Sequence, residues 1–151
     1  MDLQDEILIP APIETVYAAL NDPEILQDSI PGCEELIKHS DTELEAKVTL
    51  KIGPVKARFS GNVTLNPEDP PRRFSLTGEG SGGAAGFAKG GATVELEEQP
   101  DGQTLLRYQA RAEIGGKLAQ LGSRLIQGTA KKLAAKFFSN FSEAVQVREN
   151  S

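Results

Sequence analysis

The chain has 151 residues, enough for one domain whose buried core needs no disulfide or structural metal. Its 16 basic and 22 acidic residues give a formal net charge of −6, which argues against broad electrostatic attraction to nucleic acid or to an anionic lipid surface. The 15 glycines and 9 prolines predict many turns, and therefore a strand-rich fold rather than a plain helical bundle.

Cysteine content and the N-terminal sequence bear on the compartment. The single cysteine, Cys33, excludes an internal disulfide. The first residues, MDLQDEI, have neither the basic nor the apolar region of a signal peptide, and no stretch approaches the roughly 18 apolar residues that a membrane span needs. We expect a cytoplasmic protein with at most peripheral contact at the inner face of the membrane.

The chain begins with a predicted strand followed by two short helices. Residues 3–9 read as the strand, and Pro10-Ala11-Pro12 ends it and opens the first helix, because proline is tolerated in a first helical turn. Asn21-Asp22-Pro23 starts the second helix with Asp22 as its N-cap, and Ile30-Pro31-Gly32 ends it.

A long middle region has the hydrophobic period of strands. From Glu34 to Ile114 apolar and polar residues alternate, which predicts about six antiparallel strands. Gly53-Pro54 and Gln99-Pro100-Asp101-Gly102 are predicted turns. The segment from Asn66 to Arg73, with its three prolines, is predicted to be a connection between strands.

The last segment returns to the period of a helix. After Gly115-Gly116 the apolar residues recur at helical spacing, which predicts one amphipathic helix running to about Val145. Such a helix packs on the concave face of a curved antiparallel sheet. The sequence therefore predicts an α+β helix-grip fold over residues 1–151 as a single domain: a curved sheet of about seven strands wrapped around a long C-terminal helix, with two short helices after strand one.

Missing side chains on the inner face predict a cavity. Gly78, Gly80 and Gly82 follow Phe74 at a spacing of two, and Gly122 is predicted near the middle of the apolar arc of the long helix. Close packing of helix and sheet backbones is one interpretation, and an apolar ligand cavity is the other. The predicted ligand-binding residues, with Thr129 and Tyr108 placed to orient a polar head group, are Leu50, Phe59, Phe74, Leu76, Tyr108, Leu121, Gly122, Leu125, Ile126 and Thr129.

The glycine-rich stretch needs its own interpretation. Gly78 to Gly83 matches the glycine pattern of dinucleotide-binding folds, but the residues after it look like a loop and a strand, whereas that motif requires a helix. We therefore do not predict nucleotide binding. The stretch is predicted to be a flexible hairpin tip that could cover the cavity as a mobile lid, with Phe87 as the ligand-contacting aromatic that plugs it.

Residues with catalytic or metal-binding chemistry are few and scattered. His39 is the only histidine, Cys33 is the only cysteine, and no carboxylates recur at metal-ligand spacing. Glu34-Glu35 and Glu97-Glu98 are neighbours that point opposite ways in a strand, which suits a paired acid and base poorly. The sequence predicts no catalytic residue, no metal site and no cofactor.

One local run of positive charge stands out in this acidic chain. Lys117, Arg124 and Lys131 recur every seven residues, with Lys132 close by, and predict a basic stripe along the long helix. An ordinary solvated helix face is one interpretation. A docking stripe for an acidic partner or for lipid head groups is the other.

Several segments resemble those of the carbon monoxide dehydrogenase G-subunit family, and the resemblance covers nearly the whole chain. It is carried by IPAP (9–12), ALNDP (19–23), IPGC (30–33), LKIGPV (50–55), GAAGFAKG (83–90) and GGKLAQLG (115–122). The resemblance implies a START-like, polyketide-cyclase-like fold with a deep hydrophobic cavity. Many members continue through a linker into a membrane-anchoring segment, whereas this chain stops at Ser151, so we expect a carrier without a stable anchor.

The family resemblance also implies a function. It implies a non-catalytic accessory protein of a molybdenum-type carbon monoxide dehydrogenase or a related hydroxylase, which binds quinone or a lipid-like molecule and helps couple the enzyme to the membrane. Members of the family do not carry the molybdenum, iron–sulfur or flavin cofactors. A small START-like cyclase or hydrolase acting on a hydrophobic substrate is the alternative, because the fold alone does not decide function. A pure assembly factor with a filled interior is a third possibility.

Overall fold

The computed structural model of the chain describes residues 1–149, which form seven strands and three α-helices. The strands are β1 (Asp2–Ile9), β2 (Cys33–Lys38), β3 (Glu43–Ile52), β4 (Val55–Asp69), β5 (Arg73–Ser81), β6 (Phe87–Gln99) and β7 (Gln103–Gly115). The helices are α1 (Ile13–Leu20), α2 (Pro23–Ser29) and α3 (Ser123–Glu149), with short 3-10 helices at Gly83–Ala85, Pro100–Gly102 and Gly116–Leu121.

All seven strands belong to one antiparallel sheet in the order β1-β7-β6-β5-β4-β3-β2. The first and last strands along the chain are therefore neighbours, and the others follow as a meander. The long helix α3 lies against the inner face of this curved sheet, where its Phe141 and Val145 are fully buried. The arrangement confirms the predicted helix-grip fold. Of the predicted domain, residues 150 and 151 lie outside the described residues, and the assignment of a single domain stays a prediction.

The two short helices begin where their local signals predict. Pro12 precedes α1 as its N-cap residue, in an extended conformation. The carboxylate of Asp22 caps α2 by accepting hydrogen bonds from the backbone N–H groups of Glu24, at 2.9 Å, and Ile25, at 3.4 Å. An N-cap of this kind satisfies donors that the first helical turn leaves free. The prediction of Asp22 as N-cap is confirmed.

The packed core occupies one end of the space between sheet and helices. It contains buried side chains from β1, α1, α2, the central strands and the C-terminal half of α3. The rings of Phe137 and Phe141 stack with centroids 5.9 Å apart, and Tyr17 meets Phe74 edge-to-face at the same distance. The fully buried side chains of α3 are Phe141 and Val145, both in its C-terminal half. Under its N-terminal half the interior is packed less completely.

Two strands are longer than the sequence pattern predicts. Strand β4 continues through Pro67 to Asp69, across residues predicted as a connection. At Pro67 strand β4 is paired with β5, whereas its pairing with β3 ends at Thr64. The missing N–H of Pro67 therefore removes no backbone hydrogen bond to β3. Strand β6 begins at Phe87, so the glycine-rich hairpin tip is shorter than predicted and consists of residues 82–86.

The start of the last helix is the largest error of the sequence prediction. Strand β7 runs to Gly115, a 3-10 helix covers Gly116–Leu121, and α3 begins only at Ser123. Gly122 has a φ of +94°, which lies outside helical geometry, so it joins two helices instead of lying inside one. Lys117 consequently is not part of α3. The helix extends to Glu149, beyond the predicted end at Val145. Although α3 has 27 residues, no helix within residues 1–149 combines the length and the apolar character of a membrane span.

The cap of α2 is also tied to the end of α3. The Arg148 guanidinium lies 2.8 Å from the carboxylate of Asp22, whose side chain is 22% exposed. Burial acts to raise the pKa of Asp22, but the hydrogen bonds from Arg148 and from the backbone of Glu24 and Ile25 outweigh it and hold this pKa below its usual value. The ionised carboxylate therefore stabilises the folded state.

We expect the Asp22→Asn variant to be less stable by about 0.5–1 kcal/mol at pH 7, because asparagine keeps the cap but loses the ion pair. A lowered folded-state pKa contributes stability that is present above the unfolded pKa, near about 4, and is lost as the pH falls through the folded value. The difference between wild type and variant should therefore shrink in urea titrations below about pH 4. A difference that stays constant down to pH 2.5 would contradict this account.

Candidate ligand cavity

A cavity of about 490 Å³ lies between the inner face of the sheet and the N-terminal half of α3. Its volume lies within the range of about 300–1,000 Å³ that is usual for small-molecule sites. The lining residues are Met1, Ile30, Pro31, Ala46, Val48, Leu50, Ile52, Phe59, Gly61, Val63, Gly80, Ala88, Ile114, Leu118, Ile126, Thr129, Ala130, Leu133, Ala134 and Phe137.

The cavity exists because a row of small residues crosses the sheet beneath α3. Ala46 of β3 pairs with Gly61 of β4, which pairs with Gly80 of β5, which in turn pairs with Ala88 of β6. No residue of this row has a side chain larger than a methyl group. Since neighbouring inner-face positions carry larger side chains such as Phe59, the row forms a depression that the helix spans without filling.

Four of the predicted ligand-binding residues line this cavity. Leu50 and Phe59 reach it from the sheet, and Ile126 and Thr129 reach it from α3. Both groups lie on the faces that their spacing predicts, because alternation in a strand and a period of 3.6 in a helix each determine which side chains share a face. Whether these side chains contact a ligand stays a prediction.

Three other predicted lining residues lie in the packed core instead. Phe74 is buried against Tyr17, and Tyr108 stacks on Phe138 with ring centroids 5.3 Å apart. Leu76 packs against the same core. These residues lie on the same inner face of the sheet as the cavity. They are at the other end of that face, where α1 and the C-terminal half of α3 pack. Their predicted place in the cavity wall is therefore corrected.

The predicted contacts near the start of the long helix are displaced with it. Leu121 belongs to the 3-10 helix, Gly122 to the joint, and neither lines the cavity. Leu125 is 38% exposed and packs on the β3–β4 turn, where a Cβ on Gly53 would lie 2.8 Å from its Cδ2. Phe87 is 45% exposed with its ring against Gly115, so it does not plug the cavity.

The sequence prediction misses most of the helical wall. With α3 starting at Ser123, the helical residues that face the cavity besides Ile126 and Thr129 are Ala130, Leu133, Ala134 and Phe137, which lie on the same face of the helix. The helical spacing of these residues can be read from the sequence. Because the predicted helix starts too early, however, the predicted contacts lie near its first turns and not on this face. Leu118 is also missed as a lining residue, since a 3-10 helix gives no extended periodic pattern.

The chemistry of the lining is almost uniformly apolar. Thr129 has the only polar side chain among the described lining residues, and within residues 1–149 its hydroxyl has no hydrogen-bond partner. No carboxylate, imidazole, thiol, ammonium or guanidinium side chain lines the cavity there. The charged group on a described lining residue is the α-ammonium of Met1, which donates a hydrogen bond to the carbonyl of Ala112. A neutral ligand group with one hydrogen-bonding atom could pair with Thr129.

Burial favours the neutral forms of two titratable side chains near the interior, Tyr108 and Cys33. Burial, and to a smaller extent the charge of Asp5, raise the pKa of Tyr108, so its hydroxyl stays protonated. Burial also raises the pKa of the Cys33 thiol, which donates a hydrogen bond to the carbonyl of Glu35. His39 pairs with Glu45 at the surface, with Nε2 and Oε2 3.7 Å apart. In the described part of the chain no three potential metal ligands cluster together.

The predicted basic stripe is only partly continuous. Arg124, Lys131 and Lys132 are exposed on α3, and within residues 1–149 none of them forms an ion pair. Lys117 is also exposed, but the 3-10 helix that carries it is separated from α3 by Gly122. The predicted line through Lys117, Arg124 and Lys131, with Lys132 close by, is therefore corrected to a run on α3 that begins at Arg124.

Comparison with known proteins places the chain among helix-grip proteins. The family profile described as the G subunit of carbon monoxide dehydrogenase (CoxG) matches residues 6–146. A conserved protein from Geobacillus kaustophilus has a similar structure, with a TM-score of 0.90 and 29% identity over 97% of this chain and 95% of that one. No curated protein matches the chain.

More distant structures share the fold alone. A START superfamily protein from Mycobacterium smegmatis has a TM-score of 0.73 and 12% identity, over 96% of this chain and 97% of that one. The Zhui aromatase/cyclase from Streptomyces sp. R1128 has a TM-score of 0.68 and 12% identity, over 98% and 94% of the two chains. These likenesses confirm the predicted START-like, polyketide-cyclase-like architecture.

Proposed function

Because the chain belongs to the carbon monoxide dehydrogenase G-subunit (CoxG) family, we propose that it is a non-catalytic accessory protein that binds a neutral apolar molecule between its sheet and α3. The observation that carries the proposal is the apolar cavity of about 490 Å³ with one unpartnered hydroxyl, that of Thr129. A cyclase or hydrolase would need an acid and a base within reach of its substrate, and the described lining supplies neither. The composition of the lining therefore supports binding without catalysis.

The size of the cavity limits what it can enclose. If each methylene-sized group occupies about as much volume as a water molecule in the liquid, roughly 30 Å³, the cavity holds roughly 16 such groups. A one-prenyl ubiquinone has about 18 non-hydrogen atoms, which is close to this limit. It offers carbonyl oxygens to the Thr129 hydroxyl. A quinone or lipid with a long chain would leave most of that chain outside.

The proposal is tested on the purified full chain in two steps. Organic extraction followed by mass spectrometry looks for a co-purified quinone or lipid, and thermal unfolding is then followed during titration with a one-prenyl ubiquinone. A ligand that binds only the folded state stabilises it by about 2.7 kcal/mol at a hundredfold excess over Kd, so we expect the Tm to rise by several degrees. No extracted lipid and an unchanged Tm would contradict the proposal.

Thr129 offers a test of how a head group is oriented. We expect Thr129→Val, which has nearly the same shape, to weaken binding of the one-prenyl ubiquinone about five- to tenfold, because one buried hydrogen bond contributes about 1 kcal/mol. Binding of N-phenyl-1-naphthylamine, an apolar fluorescent probe, should stay within twofold. Fluorescence and calorimetric titrations measure both. Equal losses for the two molecules would point to disturbed packing instead of a lost hydrogen bond.

We further propose that the chain is cytoplasmic and docks on a larger redox enzyme of the carbon monoxide dehydrogenase type, and so helps couple that enzyme to the membrane pool of its acceptor. The exposed cations Arg124, Lys131 and Lys132, with Lys117 nearby, support docking on an acidic protein surface, since no acidic side chain in residues 1–149 neutralises them.

Charge reversal tests this docking surface. We expect Lys131→Glu/Lys132→Glu to reduce co-purification with a molybdenum-type carbon monoxide dehydrogenase at least tenfold at low salt, because like charges would then face each other. Arg72→Glu, a single charge reversal, is the control, since Arg72 is exposed, forms no ion pair within residues 1–149 and lies between β4 and β5. Equal co-purification of both variants with the enzyme would contradict docking through α3.

A further inference from the structure

One glycine in the N-terminal half of α3 serves no purpose within the fold. Gly128 is exposed and has no positive φ, and a Cβ on it would meet no atom within 4 Å other than its own helical backbone. Neither a left-handed backbone nor a close internal contact therefore requires glycine there. Glycine inside a helix is less stable than alanine, because it loses more backbone freedom on folding. Gly128 thus weakens α3 locally and gains no internal contact in return.

Three cationic side chains surround Gly128 on the surface of the helix. Arg124 is four residues before it, and Lys131 and Lys132 are three and four residues after it, which are the spacings of side-chain neighbours in a helix. All three are exposed, and within residues 1–149 none of their side chains forms an ion pair or a hydrogen bond. The missing side chain of Gly128 therefore leaves a notch with positive charge on both sides of it along the helix axis.

The helix itself supplies no compensating charge around the notch. From Ile114 to Ser142 the sequence has no aspartate or glutamate, although the chain has 22 acidic residues in all. Lys132 and Lys136 are four residues apart, a spacing at which like charges repel and destabilise a helix. An internal glycine and an uncompensated group of cations both weaken α3, and they lie on the same face. An anionic partner that approaches closely would offset both, because it would fill the notch and neutralise the cations.

The shape of the notch favours one kind of anionic partner. A bilayer surface is flat, and a helix that lies on one buries large apolar side chains in it. Next to Gly128 the apolar neighbour is Leu125, which packs on the β3–β4 turn instead. A second helix presents ridges of side chains that pack into grooves, and small residues at the contact bring the two axes closer together. Arg124 and Lys132 are about 12 Å apart along the axis, at 1.5 Å per residue, which is a little over two turns of a partner helix.

We propose that the face of α3 around Gly128 docks an acidic α-helix of the partner enzyme. This helix crosses α3 in close contact at Gly128 and places carboxylates beside Arg124, Lys131 and Lys132. The inference rests on the docking part of the proposed function and deepens it, since it names the element of the partner that is recognised. It also gives Gly128 a role, which is to let the two helix backbones approach each other.

Binding of the full chain to a purified molybdenum-type carbon monoxide dehydrogenase is measured by biolayer interferometry at low salt. We expect Gly128→Leu to raise the Kd at least tenfold, because its side chain fills the notch and holds the partner helix away, and Gly128→Ala to raise it less. Both variants should raise the Tm by about 2–4 °C, since leucine and alanine are better helix formers than glycine. Ser139→Leu is the matched control, because Ser139 is exposed on the same face of α3 about three turns further on. It should leave the Kd within twofold.

Cross-linking identifies what lies on the notch. A water-soluble carbodiimide joins a lysine amine to a carboxylate in direct contact with it, and mass spectrometry of the digested complex locates the linked residues. We expect Lys131 and Lys132 to be linked to acidic residues of one helix of the enzyme, and Gly128→Leu to reduce these links at least fivefold. Links to a loop or a strand of the enzyme would overturn the proposed helix. Binding to vesicles of phosphatidylcholine and phosphatidylglycerol that Lys131→Glu/Lys132→Glu abolishes and Gly128→Leu leaves unchanged would overturn it in favour of anionic lipid.

The outcomes separate the close contact at Gly128 from the docking on which it rests. Unchanged binding of Gly128→Leu, or a loss equal to that of Ser139→Leu, would overturn the close contact while leaving docking through the cations intact. Failure of the wild type to bind the enzyme would overturn the proposed docking itself. A higher Tm together with weaker binding, in Gly128→Leu and not in Ser139→Leu, would support the proposal. If Gly128→Leu aggregates, Gly128→Gln, which is bulky and polar, replaces it in each measurement.

Discussion

Ala134→Phe is expected to abolish ligand binding while the protein stays folded. Ala134 lines the cavity from α3, and phenylalanine adds six ring carbons to its methyl group. At roughly 30 Å³ for each such group, the ring takes more than a third of the available space. We expect the Kd for the one-prenyl ubiquinone and for N-phenyl-1-naphthylamine to rise at least fiftyfold, as measured by fluorescence titration.

The neighbouring residue provides the control for this result. Ala135 lies next on α3 but is exposed, so Ala135→Phe adds the same ring to the solvent side of the helix. It should leave both Kd values within twofold. Filling an apolar cavity commonly stabilises a protein, so the Tm of Ala134→Phe should equal or exceed that of the wild type. If Ala134→Phe and Ala135→Phe weaken binding equally, the loss comes from an added ring anywhere on this part of α3 and not from the reduced volume of the cavity.

Phe141→Ala is expected to destabilise the protein by about 3–5 kcal/mol, the usual range for removing a fully buried aromatic ring. Phe141 is 0% exposed and stacks on Phe137 where α3 meets the core. Since domains of this kind are stable by only about 5–15 kcal/mol, the loss is a large fraction of the total. Urea unfolding should show a lower midpoint with an unchanged m value.

A surface position on the same helix sets the baseline for this measurement. Gln146 is exposed and follows the buried Val145, and Gln146→Ala should change the free energy of unfolding by no more than about 0.5 kcal/mol. A loss below about 1 kcal/mol for Phe141→Ala would mean that the cavity left behind had collapsed, or that the C-terminal half of α3 is held mainly by other contacts.

The architecture could be predicted because several independent signals agree on it. The change of hydrophobic period after Gly115 separates sheet from helix even though the boundary itself is wrong by several residues. Asp22 is identified as a cap by its neighbours alone, because an N-cap depends on local backbone geometry. The match of residues 6–146 to the CoxG family confirms the resemblance that the segments of the chain suggest.

The cavity could be predicted only in part, for two physical reasons. The alternation of apolar and polar residues places Phe59 and Phe74 on the same face of the sheet, but it does not give their positions along that face. The packing of α1 and α3 determines that Phe74 belongs to the core and Phe59 to the cavity wall. Gly122 fits a helical arc by counting at 100° per residue, yet its φ of +94° ends the helix there. A residue count carries no information on the sign of φ.

The pairing of the first strand with the last has a consequence for how the protein is made. Asp2 lies opposite Arg111, and Ile9 lies opposite Thr104, so these contacts join residues about a hundred positions apart. Contacts so distant along the chain are associated with slow folding, because a large loop must close before they form. During synthesis β1 stays without its partner until β7 has emerged, and the apolar inner face stays open to water until α3 follows. The apolar cavity under α3 is therefore among the last features of the molecule to form.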